Sequence, residues 1–222
     1  MNRPIFISRL QLNPDSPAAR RDLRDCNDMH RTVMNGFGAA NNDSARRELG
    51  VLFRLEGDGE SPRIVVQSTA EPHWNKLAAG YLTSPLQVET LPLAQLVPAN
   101  GSEVDYLLVA QPSKNKPRYG ENGEPRHSAR VLLTSEEDQD IWLRRQLTRY
   151  GATALSVQID RPERHSLSGR DIARTRRHFK AVQFSGTLRV DAADVFADAL
   201  IFGFGPGKAY GLGLLSLQAR SV

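Results

Sequence analysis

The sequence predicts an α+β protein in which one order of elements, β-α-β-β-α-β, occurs twice. Three observations predict it. Strand-like and helix-like apolar spacings alternate along the whole chain. A turn-rich stretch, Val97-Pro98-Ala99-Asn100-Gly101-Ser102, interrupts the pattern, which then starts again. The 222 residues can bury one large core or two small ones.

The elements follow in order. Ile5 to Leu12 reads as a strand, β-branched and aromatic first, then alternating. Asn13 to Pro17 is a turn and a helix start, and the helix is expected to run to about Phe37. Leu23, Cys26, His30, Val33, Met34 and Phe37 recur at three- and four-residue spacing and share one helical face. Ala39 to Glu48 reads as a polar loop. Val51 to Leu55 and Ile64 to Gln67 form a hairpin around a Gly/Asp/Ser/Pro turn. A weak helix near Trp74 to Ala79 and a strand near Gln87 to Leu93 complete the first unit.

In the second unit, Val104 to Ala110 is a strand and Gln111 to Arg130 a basic, Gly/Pro-rich excursion. Ser135 caps a helix with Asp138 three residues on, and Ile141, Trp142 and Leu147 give its apolar face. Leu155 to Ile159 is a strand, and an arginine-rich segment leads to a long strand, Phe179 to Val190. A helix from Asp191 carries Val195, Phe196, Ala199 and Leu200 on one face, and Leu212 to Leu217 is the last strand. Two such units read as tandem ferredoxin-like domains, 1–96 and 103–222, joined by a linker at 97–102.

Composition narrows the chemistry. The single cysteine, Cys26, leaves no internal disulfide and no cysteine zinc cluster, and reads as core. A chain that enters a strand directly after Met1-Asn2-Arg3-Pro4, with no apolar run long enough to span a bilayer, is expected to be cytoplasmic. Net charge is only +4, yet residues 161–180 carry seven Lys/Arg against two Asp/Glu, an excess of 7 − 2 = +5. Arginine suits bidentate phosphate contact, so this segment points to a nucleic acid. Arg170, Arg174, Arg176, Arg177 and Lys180 are the expected contacts, with Lys114, Lys116, Arg118 and Arg126 as a second basic group in the excursion.

Two stretches carry candidate chemistry. Gly203-Phe204-Gly205-Pro206-Gly207-Lys208-Ala209-Tyr210-Gly211-Leu212-Gly213 puts five glycines, a proline and a lysine between a helix and a strand. It reads either as a tight connection or as a backbone cradle for phosphate assisted by Lys208. It is not a nucleotide P-loop, because Ala209 stands where Ser or Thr is required. His30, late in the first helix with Arg31 beside it, reads either as a histidine at the edge of the core or as a general acid or base with Arg31 holding phosphate. No histidine pair has metal-ligand spacing, and neither a metal nor an organic cofactor is expected.

These stretches together resemble one family. The first strand, the helix with Asp28-Met29-His30-Arg31, the segment Phe179 to Leu188 and the ending Gly203 to Leu217 are similar to the CasE-type CRISPR-associated repeat endoribonucleases of type I-E systems. The resemblance covers essentially the whole chain, and the Gly-Pro-x-Lys ending is its most specific part. It implies tandem ferredoxin-like domains and metal-independent cleavage of CRISPR repeat RNA at the base of a stem-loop. It also implies retention of the product and a place among the subunits of the Cascade complex. By this resemblance His30 is the catalytic histidine. Asn27 stands where some relatives carry a second catalytic group, a tyrosine. That departure keeps a second reading in view, a noncatalytic RNA-binding scaffold of the same fold.

Overall fold

The computed structural model describes residues 3–38, 43–119, 122, 124–161, 166–170 and 176–219. The N-terminal half opens with β1 (Pro4–Gln11), α1 (Pro17–Arg24) and α2 (Cys26–Asn35), followed by α3 (Asp43–Glu48). It continues with β2 (Leu52–Glu56), β3 (Arg63–Ser68), a 3-10 turn at Trp74–Lys76, β4 (Gln87–Pro92) and α4 (Leu93–Leu96). Its sheet has the order β2-β3-β1-β4, antiparallel throughout. The C-terminal half begins with β5 (Glu103–Ala110), β6 (Ser113–Tyr119), β7 (Pro125–Leu132), α5 (Glu136–Arg149), β8 (Ala152–Ala154) and β9 (Gln158–Asp160). It ends with β10 (Ser166–Arg170), β11 (Arg176–Lys180), β12 (Val182–Val190), α6 (Ala193–Phe202), a 3-10 turn at Lys208–Tyr210 and β13 (Leu215–Ala219). Its sheet runs β13-β5-β12-β8, with β9 also paired to β12. In both sheets the first and third strands of the unit lie at the centre. The fold is therefore the tandem ferredoxin-like arrangement expected from the sequence.

The differences from expectation have local causes. The first helix is two helices, because Asp25 adopts an extended conformation (φ −137°, ψ 115°) and its carboxylate accepts from Asn27 N at 2.8 Å. A carboxylate that satisfies an orphan N–H starts a new helix more favourably than it continues an old one. The supposed loop before Val51 contains α3, where Ser44 donates to Glu48 at 2.7 Å and buried Arg46 donates to Val51 O at 3.1 Å. The basic excursion is a hairpin, β6–β7. In place of the strand expected at 155–159, two short strands, β8 and β9, lie on either side of an irregular stretch at 155–157. Gly186 on β12 (φ 143°) lets the Ser156 carbonyl approach where a Cβ would collide, and Ser156 Oγ accepts from Thr187 N at 2.9 Å. The long strand at 179–190 breaks at buried Ala181 into β11 and β12. The last strand starts at Leu215, and α6 starts at Ala193, whose N–H is capped by Asn100 Oδ1 at 2.7 Å.

Each sheet buries one face under its helices. Leu10, Met29, Val33, Met34, Phe53, Ile64, Val66 and Trp74 pack in the N-terminal half; Leu108, Trp142, Leu143, Leu147, Phe184, Leu188, Phe196 and Phe204 pack in the C-terminal half. A third cluster crosses between them: Ile5 and Leu93 meet Ala197 and Ile201 of α6.

Polar ties reinforce that seam. Arg54 on β2, only 4% exposed, donates through Nη1 to Leu214 O at 3.2 Å and through Nη2 to Ser216 Oγ at 2.9 Å. The same guanidinium binds Glu56, through Nε at 3.0 Å and through Nη2. Gln67 on β3 donates to Leu200 O at 2.5 Å. Burial would raise the Glu56 carboxyl, but hydrogen bonds and charge from Arg54 and Arg63 outweigh it and hold the carboxyl below its ordinary range.

Removing Arg54 strips Glu56 of its buried partner, leaving only the half-exposed Arg63, and takes the donor away from Leu214 O and Ser216 Oγ. Arg54→Ala should therefore cost about 3 kcal/mol in urea unfolding at neutral pH. Because the folded pKa of Glu56 is depressed, its contribution is present above the unfolded value of 4.5 and is lost as pH falls through the folded value. The gap between native protein and variant should shrink in acid; an unchanged gap down to the folded pKa would count against this network.

Candidate catalytic and nucleic-acid site

His30 sits on α2 one turn before the helix ends. It is half-buried, with Nδ1 shielded from solvent, at the rim of the face formed by Cys26, Met29, Val33 and Met34. Its ring lies parallel to that of Phe53, with centroids 6.5 Å apart and planes at 19°. Phe53 is fully buried on β2, next to the bridging Arg54. The imidazole therefore has an apolar wall on one side and remains partly open to solvent.

The glycine-rich stretch closes against the same wall. Its 3-10 turn, Lys208–Tyr210, packs on both α2 and β2. Gly211 ends that turn at φ 79°, and a Cβ there would lie 3.1 Å from Phe53 Cε2. Gly205, at φ 65°, similarly abuts Trp142 of α5 at 2.9 Å from a would-be Cβ. Left-handed backbone and this proximity both call for glycine. Lys208 Nζ donates back to Gly205 O at 2.6 Å, so its ammonium braces its own loop. The stretch is a tight connection, and it packs against Phe53, the ring that faces His30.

The arginine-rich segment is also brought to α2, the helix that carries His30. It forms a two-stranded hairpin in which Arg170 pairs in register with Arg176 and Gly169 with Arg177. β10 packs against α2. Lys180 ends β11 and is exposed. Arg174 lies outside the described residues. Arg31 is exposed and ion-paired with Asp28 one turn earlier. Lys114 and Lys116 are exposed two residues apart on β6, hence on one face of a hairpin whose main contacts are between its own strands. They belong to a second basic surface. His30, Arg31, the Lys208 turn and the strand bearing Arg170 converge on α2.

Cys26 stands beside this site without chemistry of its own. It is 6% exposed, and burial, helped by the charge of Asp25, pushes its thiol up to about 12. Among the described residues no three His, Cys, Asp or Glu side chains gather where they could hold a metal ion. No helix among them is long and apolar enough to cross a membrane.

Sequence reasoning missed two residues that build the site, Phe53 and Arg54. The signal was an arginine inside an otherwise apolar strand, Val51-Leu52-Phe53-Arg54-Leu55, which a solvent-facing position alone would have explained.

A family described as "CRISPR associated protein" matches residues 5–219. The chain belongs to this family. It is 32% identical over 227 aligned positions to the CRISPR-associated endoribonuclease Cse3 of Thermus thermophilus, covering 96% of this chain and 99% of that one. The structure of Thermus thermophilus Cse3 bound to an RNA representing a pre-cleavage complex superposes with a TM-score of 0.75 at 33% identity, covering 96% and 98% of the two chains. A chain of a CRISPR RNA-guided surveillance complex, pre-nicking, gives a TM-score of 0.70 at 25% identity, covering 97% of this chain and 100% of that one. The resemblance read from the sequence to CasE-type proteins is borne out.

With so little thiolate and so little access, the Cys26 thiol should resist iodoacetamide at pH 8 in the native protein and react once unfolded. Mass spectrometry before and after addition of urea checks this; rapid native labelling would mean that α1 and α2 open readily.

Proposed function

We propose that this protein is an endoribonuclease that cleaves CRISPR repeat RNA at the base of its stem-loop. On this reading it keeps the mature product bound and sits with other Cascade subunits in an RNA-guided surveillance complex. The observation that carries the reading is the convergence on α2. A half-buried histidine, an exposed arginine and an arginine-bearing hairpin meet there, in a chain one-third identical to an RNA-cleaving relative over nearly all its length. The unit 1–96 contributes His30, the stretch 97–102 links the halves, and 103–222 contributes the basic hairpins and the glycine-rich loop.

RNA supplies its own nucleophile. The 2′-oxygen attacks the adjacent phosphorus, the bond to the 5′-oxygen breaks, and the products are a 2′,3′-cyclic phosphate and a 5′-hydroxyl. His30 takes the proton from the 2′-hydroxyl or delivers one to the leaving 5′-oxygen. Such general acid–base help contributes about 10²–10⁴-fold. No metal-activated water is required by this route. Arg31 lies one residue on and holds the phosphate, exchanging its pairing with Asp28 for the stronger anion.

A duplex stem is held mainly through its phosphates, because A-form RNA hides its bases in a deep major groove. Arg170, Arg174, Arg176, Arg177 and Lys180 serve that contact on one hairpin, and Lys114 and Lys116 on the other. Lys208 acts indirectly, by holding the loop near the RNA.

The test is cleavage of the cognate repeat hairpin in excess EDTA. His30→Ala should bind the hairpin with affinity close to native and cut at least about 100-fold more slowly. Equal cutting would remove His30 from the chemistry. Binding without cutting by either protein would favour the RNA-binding scaffold.

A further inference from the structure

A polar hollow lies on the side of α2 turned away from His30. It has a volume of about 140 Å³, and its walls are α1 and α2 on one side and the segment from His73 to Tyr81 on the other. This is well below the roughly 300–1,000 Å³ of pockets that take whole small molecules. Arg21, Thr32, Asn35, His73 and Lys76 supply its polar lining, and no carboxylate lines it. Asp22, behind Arg21, is committed: it accepts from Arg21 Nε at 2.8 Å and from Tyr81 Oη at 2.8 Å.

The Arg21 guanidinium and the backbone of the facing segment are held in place. Arg21 is fixed by Asp22 and by an Nη2 contact to Thr32 Oγ1 at 3.2 Å, with its side chain 56% exposed. His73 is anchored by its backbone N–H, which donates to Gly36 O at 2.6 Å. The ring of Trp74 is pinned by Nε1 donating to Ser8 Oγ at 2.9 Å, which fixes the turn that presents Lys76. A fixed guanidinium, an exposed lysine, an imidazole and an amide around a small concave space, with no carboxylate in its lining, match a tetrahedral oxyanion.

We propose that this hollow is a phosphate subsite, and that it takes a backbone phosphate of the single-stranded RNA flanking the repeat stem. The RNA assignment rests on the function proposed above; the oxyanion chemistry does not. Thr32, Asn35 and Gly36 lie roughly 140–240° around the helix from His30, at 100° per residue. A strand leaving a scissile phosphate at His30 reaches the hollow by passing around α2. A rigid duplex is too wide to enter so small a space, whereas a flexible strand presents one phosphate at a time.

The test has two arms, both on the full chain. In the first, inorganic phosphate is titrated into native protein and Lys76→Ala while the imidazole resonances of His73 are followed. The native resonances should move saturably, and those of Lys76→Ala should move much less. In the second, hairpins with and without single-stranded flanks are bound to native protein, Lys76→Ala and Asn35→Ala over a salt series. The flanked RNA should bind Lys76→Ala several-fold more weakly, with the slope of log K against log salt reduced by about 0.7 for one lost single-strand phosphate. The hairpin without flanks should show no such difference.

No movement of His73 with phosphate overturns the subsite. Movement with phosphate but identical slopes for flanked RNA makes it a site for free phosphate and overturns the RNA assignment. Failure of the native protein to bind any repeat hairpin would instead strike the function proposed above, and would leave the phosphate titration to decide the hollow by itself. Lys76 is exposed, so thermal unfolding of the variant should match native protein and exclude misfolding as the cause.

Discussion

The guanidinium of Arg54 is the interaction on which the arrangement depends. It reaches from the N-terminal sheet to the backbone of Leu214 and the side chain of Ser216, and so fixes where β13 and the glycine-rich loop lie against β2. Burying a charge costs free energy unless it is paired and hydrogen-bonded. Glu56 lies on the same strand as Arg54, whereas Leu214 and Ser216 accept from it only where β13 lies close to β2. Apolar contact between Ile5, Leu93, Ala197 and Ile201 is less directional and would tolerate sliding. The charged tie supplies a register that grease alone lacks.

That register extends to the chemistry through neighbours. Phe53 adjoins Arg54 in sequence, lies parallel to His30 and is abutted by Gly211. The imidazole is thus oriented by a ring that both halves of the chain hold. General acid–base groups depend on placement as much as on pKa, and Phe53 gives the His30 ring a fixed surface to lie against. Asn27 bears on the same point. In the reaction proposed above, with no titratable side chain there, orientation of His30 and neutralisation of charge by Arg31 would supply more of the rate. The arginine hairpin against α2 is suited to hold the phosphate in line.

The sequence made the order of elements and the tandem arrangement legible, because apolar spacing reports which face of each element is buried. It also made His30 legible as a candidate, and the glycine-rich stretch as a joint between helix and strand. What it concealed were breaks caused by single residues. The Asp25 carboxylate divides one helical pattern into two, and Gly186 opposite Ser156 divides a strand, though neither interrupts the apolar spacing. Nor could it reveal that Lys208 turns back on Gly205, since a basic residue in a glycine loop reads equally well as a phosphate ligand. Arg54 was hidden for the opposite reason. A charged residue in a strand reads as solvent-facing, and only the approach of a segment 160 residues away makes it an internal one.

The account stands most directly on the 2′-hydroxyl as nucleophile with His30 as its proton-transfer partner. The decisive measurement uses a repeat hairpin bearing a single 2′-deoxy nucleotide immediately before the scissile phosphate. Such an RNA should bind the native protein as tightly as the all-ribose hairpin and remain intact, while the all-ribose hairpin yields a 2′,3′-cyclic phosphate and a 5′-hydroxyl. Cleavage of the deoxy-substituted RNA at the same bond would show that water or another nucleophile does the work, and would contradict the account.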